Sequence, residues 1–154
     1  MSPTMVILAI SILAASLGIA EWSRRRRKRL FFQSHTIEVD QLHAILFATN
    51  QSSSVQVIDV RQPLDLLAYS HIIPGSRRIP PKEILENPGL LLKDRDTIVY
   101  CTCPSDDTAI KIVQKAVSLG FEKVKILHGG LDAWKQRSYP VEPYQSAFHL
   151  DTPA

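Results

Sequence analysis

A chain of 154 residues is long enough for one domain of ordinary size plus an appendage. Its net charge of +3 arises in one place: residues 24–29 are all Arg or Lys, and without these six the 18 Lys+Arg fall to 12 against 15 Asp+Glu. The remainder is mildly acidic, which argues against a basic nucleic-acid-binding face despite an overall pI near 9.0. Two cysteines, Cys101 and Cys103, are too few for the disulfide scaffold of a small secreted protein and fit a reduced compartment. Cys-x-Cys with the nearest histidine at His128 lacks the spacing of a zinc site, so neither a metal nor a cofactor is expected.

Met5–Trp22 is an apolar run carrying one acid, Glu21. About 18 residues at 1.5 Å each just cross a hydrocarbon core of ~30 Å. Three readings compete. A cleaved signal peptide carries positive charge before its apolar run, whereas Ser2, Pro3 and Thr4 carry none. A buried soluble helix would set Arg24–Arg29 against the core. A membrane anchor accounts for both features and predicts a single transmembrane helix over 1–23. The basic run then holds the following chain on the cytoplasmic side, with the N-terminus outside, and lets Arg24–Arg29 meet anionic lipid headgroups. Nucleic-acid binding or a localisation signal is the alternative for the run. Trp22 fits an interfacial aromatic, and Leu30–Ser34 reads as the end of a basic juxtamembrane linker over 24–35.

From Thr36 the pattern alternates strand and helix. Asp40 is a plausible N-cap for a helix over Gln41–Ala48 with Leu42, Ile45 and Leu46 on one face. Ser52–Ser54 reads as a loop and Val55–Val60 as a strand. Pro63 opens a helix with Leu64, Leu67 and Ala68 at helical spacing, and Ile73-Pro74-Gly75 is a turn. Pro80–Leu92 is helical but interrupted by Pro88-Gly89. Thr97–Tyr100 is a second strand. Thr108–Leu119 is a helix with Ile110, Val113 and Val117 on one face, stopped by Gly120. Val124–Leu127 is a third strand and Leu131–Arg137 a closing helix. Strands separated by helices of this length predict βαβ units and a parallel sheet over 36–145, with 146–154 as a tail. Ile58, Val60, Ile98, Val99, Ile126 and Leu127 are the expected core of adjacent strands.

Cys101 directly follows Ile98-Val99-Tyr100 and precedes a loop, Thr102–Asp107, and a helix. The sulfur therefore belongs at the carboxyl end of a parallel strand, where α/β sheets bind ligands. It also lies near a helix N-terminus, whose unpaired N–H groups favour a thiolate or persulfide anion. A buried inert cysteine is the alternative on position alone.

Several segments in register resemble the rhodanese family. Val57-Ile58-Asp59-Val60-Arg61 is similar to its strand-end Asp-x-Arg signature, Ile73-Pro74-Gly75-Ser76 to its Ile-Pro-Gly-Ala turn, and Ile98-Val99-Tyr100-Cys101 to the strand that delivers its cysteine. Gly120-Phe121, Val124, Leu127-His128-Gly129-Gly130-Leu131-Asp132-Ala133-Trp134 and Pro140-Val141 resemble its C-terminal pattern. The resemblance runs from about Thr36 to Glu142. It implies an α/β fold, a rhodanese-like parallel sheet flanked by helices, here preceded by one transmembrane helix. It also implies a sulfurtransferase or persulfide carrier. Cys101 would take sulfane sulfur from a donor and yield it to a nucleophilic thiol acceptor, with Thr102, Cys103, Pro104, Ser105, Asp106, Asp107 and Thr108 as the active loop and the backbone N–H groups over Thr102–Asp107, less the one Pro104 lacks, cradling the anion. Gly129 and Gly130 permit close backbone approach or simply a tight turn, Asp59 and Arg61 read as structural, an ion pair or a hydrogen-bonding corner, and Trp134 as core.

The loop departs from the family pattern Cys-x-x-Gly-x-Arg. Pro104 stands at the Gly position and Asp106 at the Arg position, and the loop is one residue longer. The usual Gly-His before Ile-Pro-Gly becomes His71-Ile72. Asp106 and Asp107 repel thiosulfate and destabilise a thiolate. The related phosphatase branch needs Arg six positions after the cysteine, where Asp107 stands, which argues against phosphatase activity. The Cys-x-Cys-Pro loop is similar to that of rhodanese domains following multi-spanning membrane proteins of bacteria, which suggests a bacterial inner membrane. Three functions stay open: sulfur transfer through Cys101, a non-catalytic partner-binding module, and a thiol redox element in which Cys103 resolves an oxidised Cys101.

Overall fold

The computed structural model describes residues 3–48, 55–102 and 106–145, with the side chains of the first helix from Ile12 onward apart from Ala14. The chain divides into two compact units, Met1–Ser34 and His35–Ala154. The first is one continuous helix, α1 (Pro3–Ser34). The basic linker expected over 24–35 is therefore helical almost throughout. Arg and Lys are good helix formers, and no Gly or Pro interrupts the chain between Gly18 and the helix end at Ser34. Glu21 pairs with Arg25 at 3.2 Å one turn on, and the Arg26 guanidinium lies over the Trp22 ring. Among the described residues no helix is long and apolar enough to cross a membrane, so the transmembrane span expected over 1–23 finds no support in the structure. Half of the apolar side chains of the Met5–Trp22 run, at 5–10 and 14, lie outside the described set.

The second unit is built on a parallel sheet. Its strands are β1 (Thr36–Ile37), β2 (Val55–Asp59), β4 (Arg77–Arg78), β5 (Asp96–Tyr100) and β6 (Val124–Leu127), in the order β1-β6-β5-β2-β4. A short antiparallel pair joins β3 (His71–Ile72) to β7 (Glu142–Pro143). These four two-residue strands are too short to leave a periodic signal in the sequence. The helices are α2 (Val39–Phe47), α3 (Pro63–Ala68), α4 (Pro81–Glu86), α5 (Asp107–Ser118) and α6 (Gly130–Gln136), with a 3-10 turn at Pro88–Leu90. The loop expected at Ser52–Ser54 lies outside the described residues.

Register shows why the core residues are what they are. Ile58, Val99 and Ile126 stand side by side across β2, β5 and β6, all fully buried. Alternation sends Val57, Ile98 and Tyr100 to the other face, where they pack with Leu127, Leu42, Leu131 and Trp134. A sheet buried on both faces needs near-continuous apolar strands, as Val57–Val60 and Ile98–Tyr100 provide.

Three helix readings are corrected. Glu38, not Asp40, caps α2: the Gln41 side chain accepts the Glu38 N–H at 3.1 Å. Asp40 is instead engaged outward, accepting from Arg137 and from the Tyr139 hydroxyl at 2.7 Å each. In α3 the buried residue is Leu66, while Leu64 and Leu67 are exposed. Six residues are too few for periodicity to decide a face, and the orientation follows the helix end, where Arg61 holds the Tyr69 carbonyl. In α5 the buried stripe is Ala109, Ile112, Val113 and Ala116, one step round from Ile110 and Val117. Two alanines bring the helix close to the sheet and leave the larger residues on its flanks. The stop at Gly120 is as expected: its φ is +82, its N–H bonds the Val117 carbonyl, and Phe121 N–H bonds Ala116.

Val99→Asp places an uncompensated carboxylate between two buried strands. It is expected to cost at least about 4 kcal/mol and abolish the cooperative urea transition. Leu64→Asp, at an exposed position of α3, should shift that transition by no more than about 0.5 kcal/mol.

Candidate active site

The site begins with a buried ion pair at the end of β2. Arg61 and Asp59 are both fully buried, and Arg61 Nη2 lies 2.6 Å from Asp59 Oδ2. Arg61 Nε also meets both carboxylate oxygens, and the Arg61 N–H bonds Oδ1 at 3.0 Å. The remaining guanidinium donors reach the carbonyls of Tyr69 and His71 at 2.9 Å. One side chain thus ties the β2 end to the chain entering β3. Tyr100, next to Asp59 in register, secures the following turn: its hydroxyl accepts the Ile73 N–H at 3.2 Å and shares a hydrogen bond with Ser76 at 3.0 Å. Burial and neighbouring Asp59 push the Tyr100 pKa up, so it remains a neutral hydroxyl. Glu142 closes the same turn from β7 by accepting the Gly75 N–H at 3.0 Å.

Cys101 follows β5 and is 1% exposed. Its carbonyl accepts the Leu131 N–H at 3.0 Å, which draws the first turn of α6 onto the cysteine backbone. That approach requires Gly130: a Cβ there would sit 2.0 Å from the Cys101 carbonyl oxygen, at a φ of +51. Gly129 is also left-handed, at φ +67, and a Cβ on it would meet Ala133 at 2.7 Å. Close approach and tight turn are therefore one arrangement.

Asp106 caps α5 in the left-handed conformation, φ +52, and turns inward, 2% exposed. Its Oδ1 lies 4.0 Å from Cys101 Sγ, and its Oδ2 accepts the Gly129 N–H at 3.0 Å. Burial holds this carboxyl above the usual carboxylate range; the Gly129 N–H and His128 pull it back, and Asp107 adds to the rise. Asp107 itself is exposed in the first turn of α5, and Thr108 is half-buried behind it. Thr102 is half-buried beside Cys101. Cys103, Pro104 and Ser105, and any anion cradle their backbone forms, lie outside the described residues. No sequence signal marked Asp106 as inward-facing, because Asp enters the left-handed region without a motif. At this end of β6 the exposed His128 ring contacts Glu38 at 3.1 Å, a partner the sequence did not single out.

A thiol at the carboxyl end of the central strand of a parallel sheet, its backbone clamped by a glycine-opened helix, defines an α/β cysteine-loop domain. The rhodanese-like domain family matches residues 38–137, and the chain belongs to that family. It is 32% identical over 103 residues to an uncharacterized protein of Synechocystis, covering 63% of this chain and 52% of that protein. The chain thus spans about half the length of that relative. It is 26% identical over 90 residues to a protein of Allochromatium vinosum named sulfurtransferase, covering 58% of this chain and 80% of the other. The crystal structure of a rhodanese-related protein from Thermoplasma volcanium superposes with a TM-score of 0.57 at 26% identity, covering 70% of this chain and 97% of that one.

Gly130→Ala should destabilise the domain by about 2–4 kcal/mol, since both the left-handed backbone and the contact with Cys101 oppose a Cβ. Urea denaturation checks this, with Gly75→Ala as the comparison: it is strained at φ +73 but meets nothing within 4 Å, and should cost less.

Proposed function

We propose that this chain is a sulfurtransferase or persulfide carrier in which Cys101 accepts sulfane sulfur and passes it to a thiol acceptor. The observation that carries this reading is the placement of Cys101 at the end of the central strand of a rhodanese-like domain, its backbone fixed by Leu131 N–H and its sulfur beside a carboxyl. A relative named sulfurtransferase supports it. Cys101→Ser keeps the volume but removes a good sulfur nucleophile. After incubation with persulfide donors, the parent protein should gain about 32 Da, one sulfur atom, on the peptide containing Cys101, and Cys101→Ser should not. The near-complete burial of Cys101 and the carboxylates of Asp106 and Asp107 favour a second reading, a rhodanese-like module that binds a partner without catalysis. That reading prevails if no donor, protein persulfides included, modifies Cys101.

We also propose that the apolar run Met5–Trp22 anchors the chain in a membrane, with Arg24–Arg29 on anionic headgroups, the N-terminus outside and the rhodanese-like domain in the cytoplasm. The support is the pairing of an apolar run with six basic residues directly after it. The full chain should sediment with membranes in a bacterial host, and a chain starting at His35 should stay in the supernatant and unfold cooperatively. Digestion of the domain by protease added to intact spheroplasts would refute the orientation.

A further inference from the structure

The structure points to Asp106 as the proton partner of Cys101: we propose that its carboxyl takes the Sγ proton as the sulfur attacks and delivers it to the leaving thiol of a persulfide donor. This rests on the sulfur-accepting reading and adds to it a base, an acid and a donor class.

Three contacts aim the carboxyl. Oδ1 faces Sγ at 4.0 Å, Oδ2 is held by the Gly129 N–H at 3.0 Å, and the Asp106 carbonyl accepts the Ile110 N–H at 2.8 Å as α5 begins. Thiol and carboxyl are 1% and 2% exposed, so the pair meets with little water between. The other charged groups bearing on Asp106 are Asp107, from α5, and His128, from the turn into α6. A carboxyl raised by burial takes a proton from a thiol more readily than an exposed one, and retains it long enough to return it.

In the transfer, a lone pair on Sγ forms a bond to the terminal sulfur of a neutral donor R–S–SH. The donor's S–S bond breaks, and its electron pair leaves on R–S. Sγ is oxidised to the persulfide level and the donor sulfur is reduced to a thiol, so no outside oxidant enters. The proton from Sγ passes to Asp106 and then to R–S⁻, giving Cys101–S–SH and R–SH. An alkyl thiolate, with a thiol pKa near ~8.5, is a poor leaving group that gains from this proton. A donor that leaves as sulfinate or sulfite needs none and meets only the carboxylate's repulsion. Asp106 thereby favours persulfides over anionic thiosulfonates.

The test uses the full chain carrying Cys103→Ser, in which Cys101 is the remaining cysteine, with and without Asp106→Asn. Asparagine suits the left-handed position and can still accept the Gly129 N–H. Iodoacetamide alkylation against pH reads the coupling: Asp106→Asn should move the midpoint to lower pH by about one unit or more, because a like charge is removed. Loading per thiolate from glutathione persulfide should fall about tenfold or more, while loading from benzenethiosulfonate should hold or rise. Equal change with both donors, or an unmoved alkylation midpoint, overturns the role of Asp106 and leaves sulfur transfer standing. Failure of the parent to load from either donor instead overturns the sulfur-accepting reading and this proposal with it. Matching melting temperatures exclude a folding defect; if Asp106→Asn lowers its own, Asp106→Gly, at ease in the same conformation, repeats the comparison with the same expected outcomes.

Discussion

A guanidinium and a carboxylate with no access to water hold the site end of this domain together. Asp59 ends β2, and Arg61, two residues on, folds back onto it while reaching the carbonyls of Tyr69 and His71. Two isolated charges at this depth would each cost several kcal/mol. Here each donor of Arg61 that the fold buries finds an acceptor, and the acceptors belong to three separate segments. Removing either partner would leave the other uncompensated, at roughly 3–5 kcal/mol. The pair is therefore weak as a source of net stability and strong as a constraint on geometry: α3, β3 and the turn after it must lie where the guanidinium can reach.

Tyr100 extends that constraint to the chemistry. It neighbours Asp59 in register and immediately precedes Cys101, so the strand that presents the sulfur also anchors the Ile73–Ser76 turn. On the other side, α6 starts on the Cys101 carbonyl, an approach open to glycine at 130. The cysteine backbone is thus fixed through β5 and through α6. The backbone that carries the sulfur is therefore rigid on both sides, as a well-defined position for a side chain requires.

The acidic loop acquires a different meaning from its geometry. Read as sequence, Asp106 and Asp107 are two like charges that weaken a thiolate. In three dimensions they separate: Asp107 is exposed at the start of α5, and Asp106 is enclosed between Sγ and the Gly129 N–H. An enclosed carboxyl near a thiol is a proton acceptor as well as a charge, and the same residue that discourages anionic donors can serve donors that leave as thiols.

Periodicity and local chemistry determined the parts of this protein that depend on few neighbours. Apolar runs at Val55–Val60, Thr97–Tyr100 and Val124–Leu127 specified the central strands because a doubly covered sheet demands them. Gly120 specified the end of α5, since a left-handed residue there is nearly always glycine. The Asp-x-Arg pair and the cysteine after its strand were legible for the same reason, each being set within a few residues. Tertiary structure alone decided the rest. The two-residue strands at Thr36, His71, Arg77 and Glu142 exist because distant partners supply their hydrogen bonds. The buried faces of α3 and α5 were settled by an arginine donor and by two alanines against the sheet, contacts no helical period encodes. The inward turn of Asp106 required the Gly129 N–H, 23 residues further along the chain, to complete its hydrogen bonding.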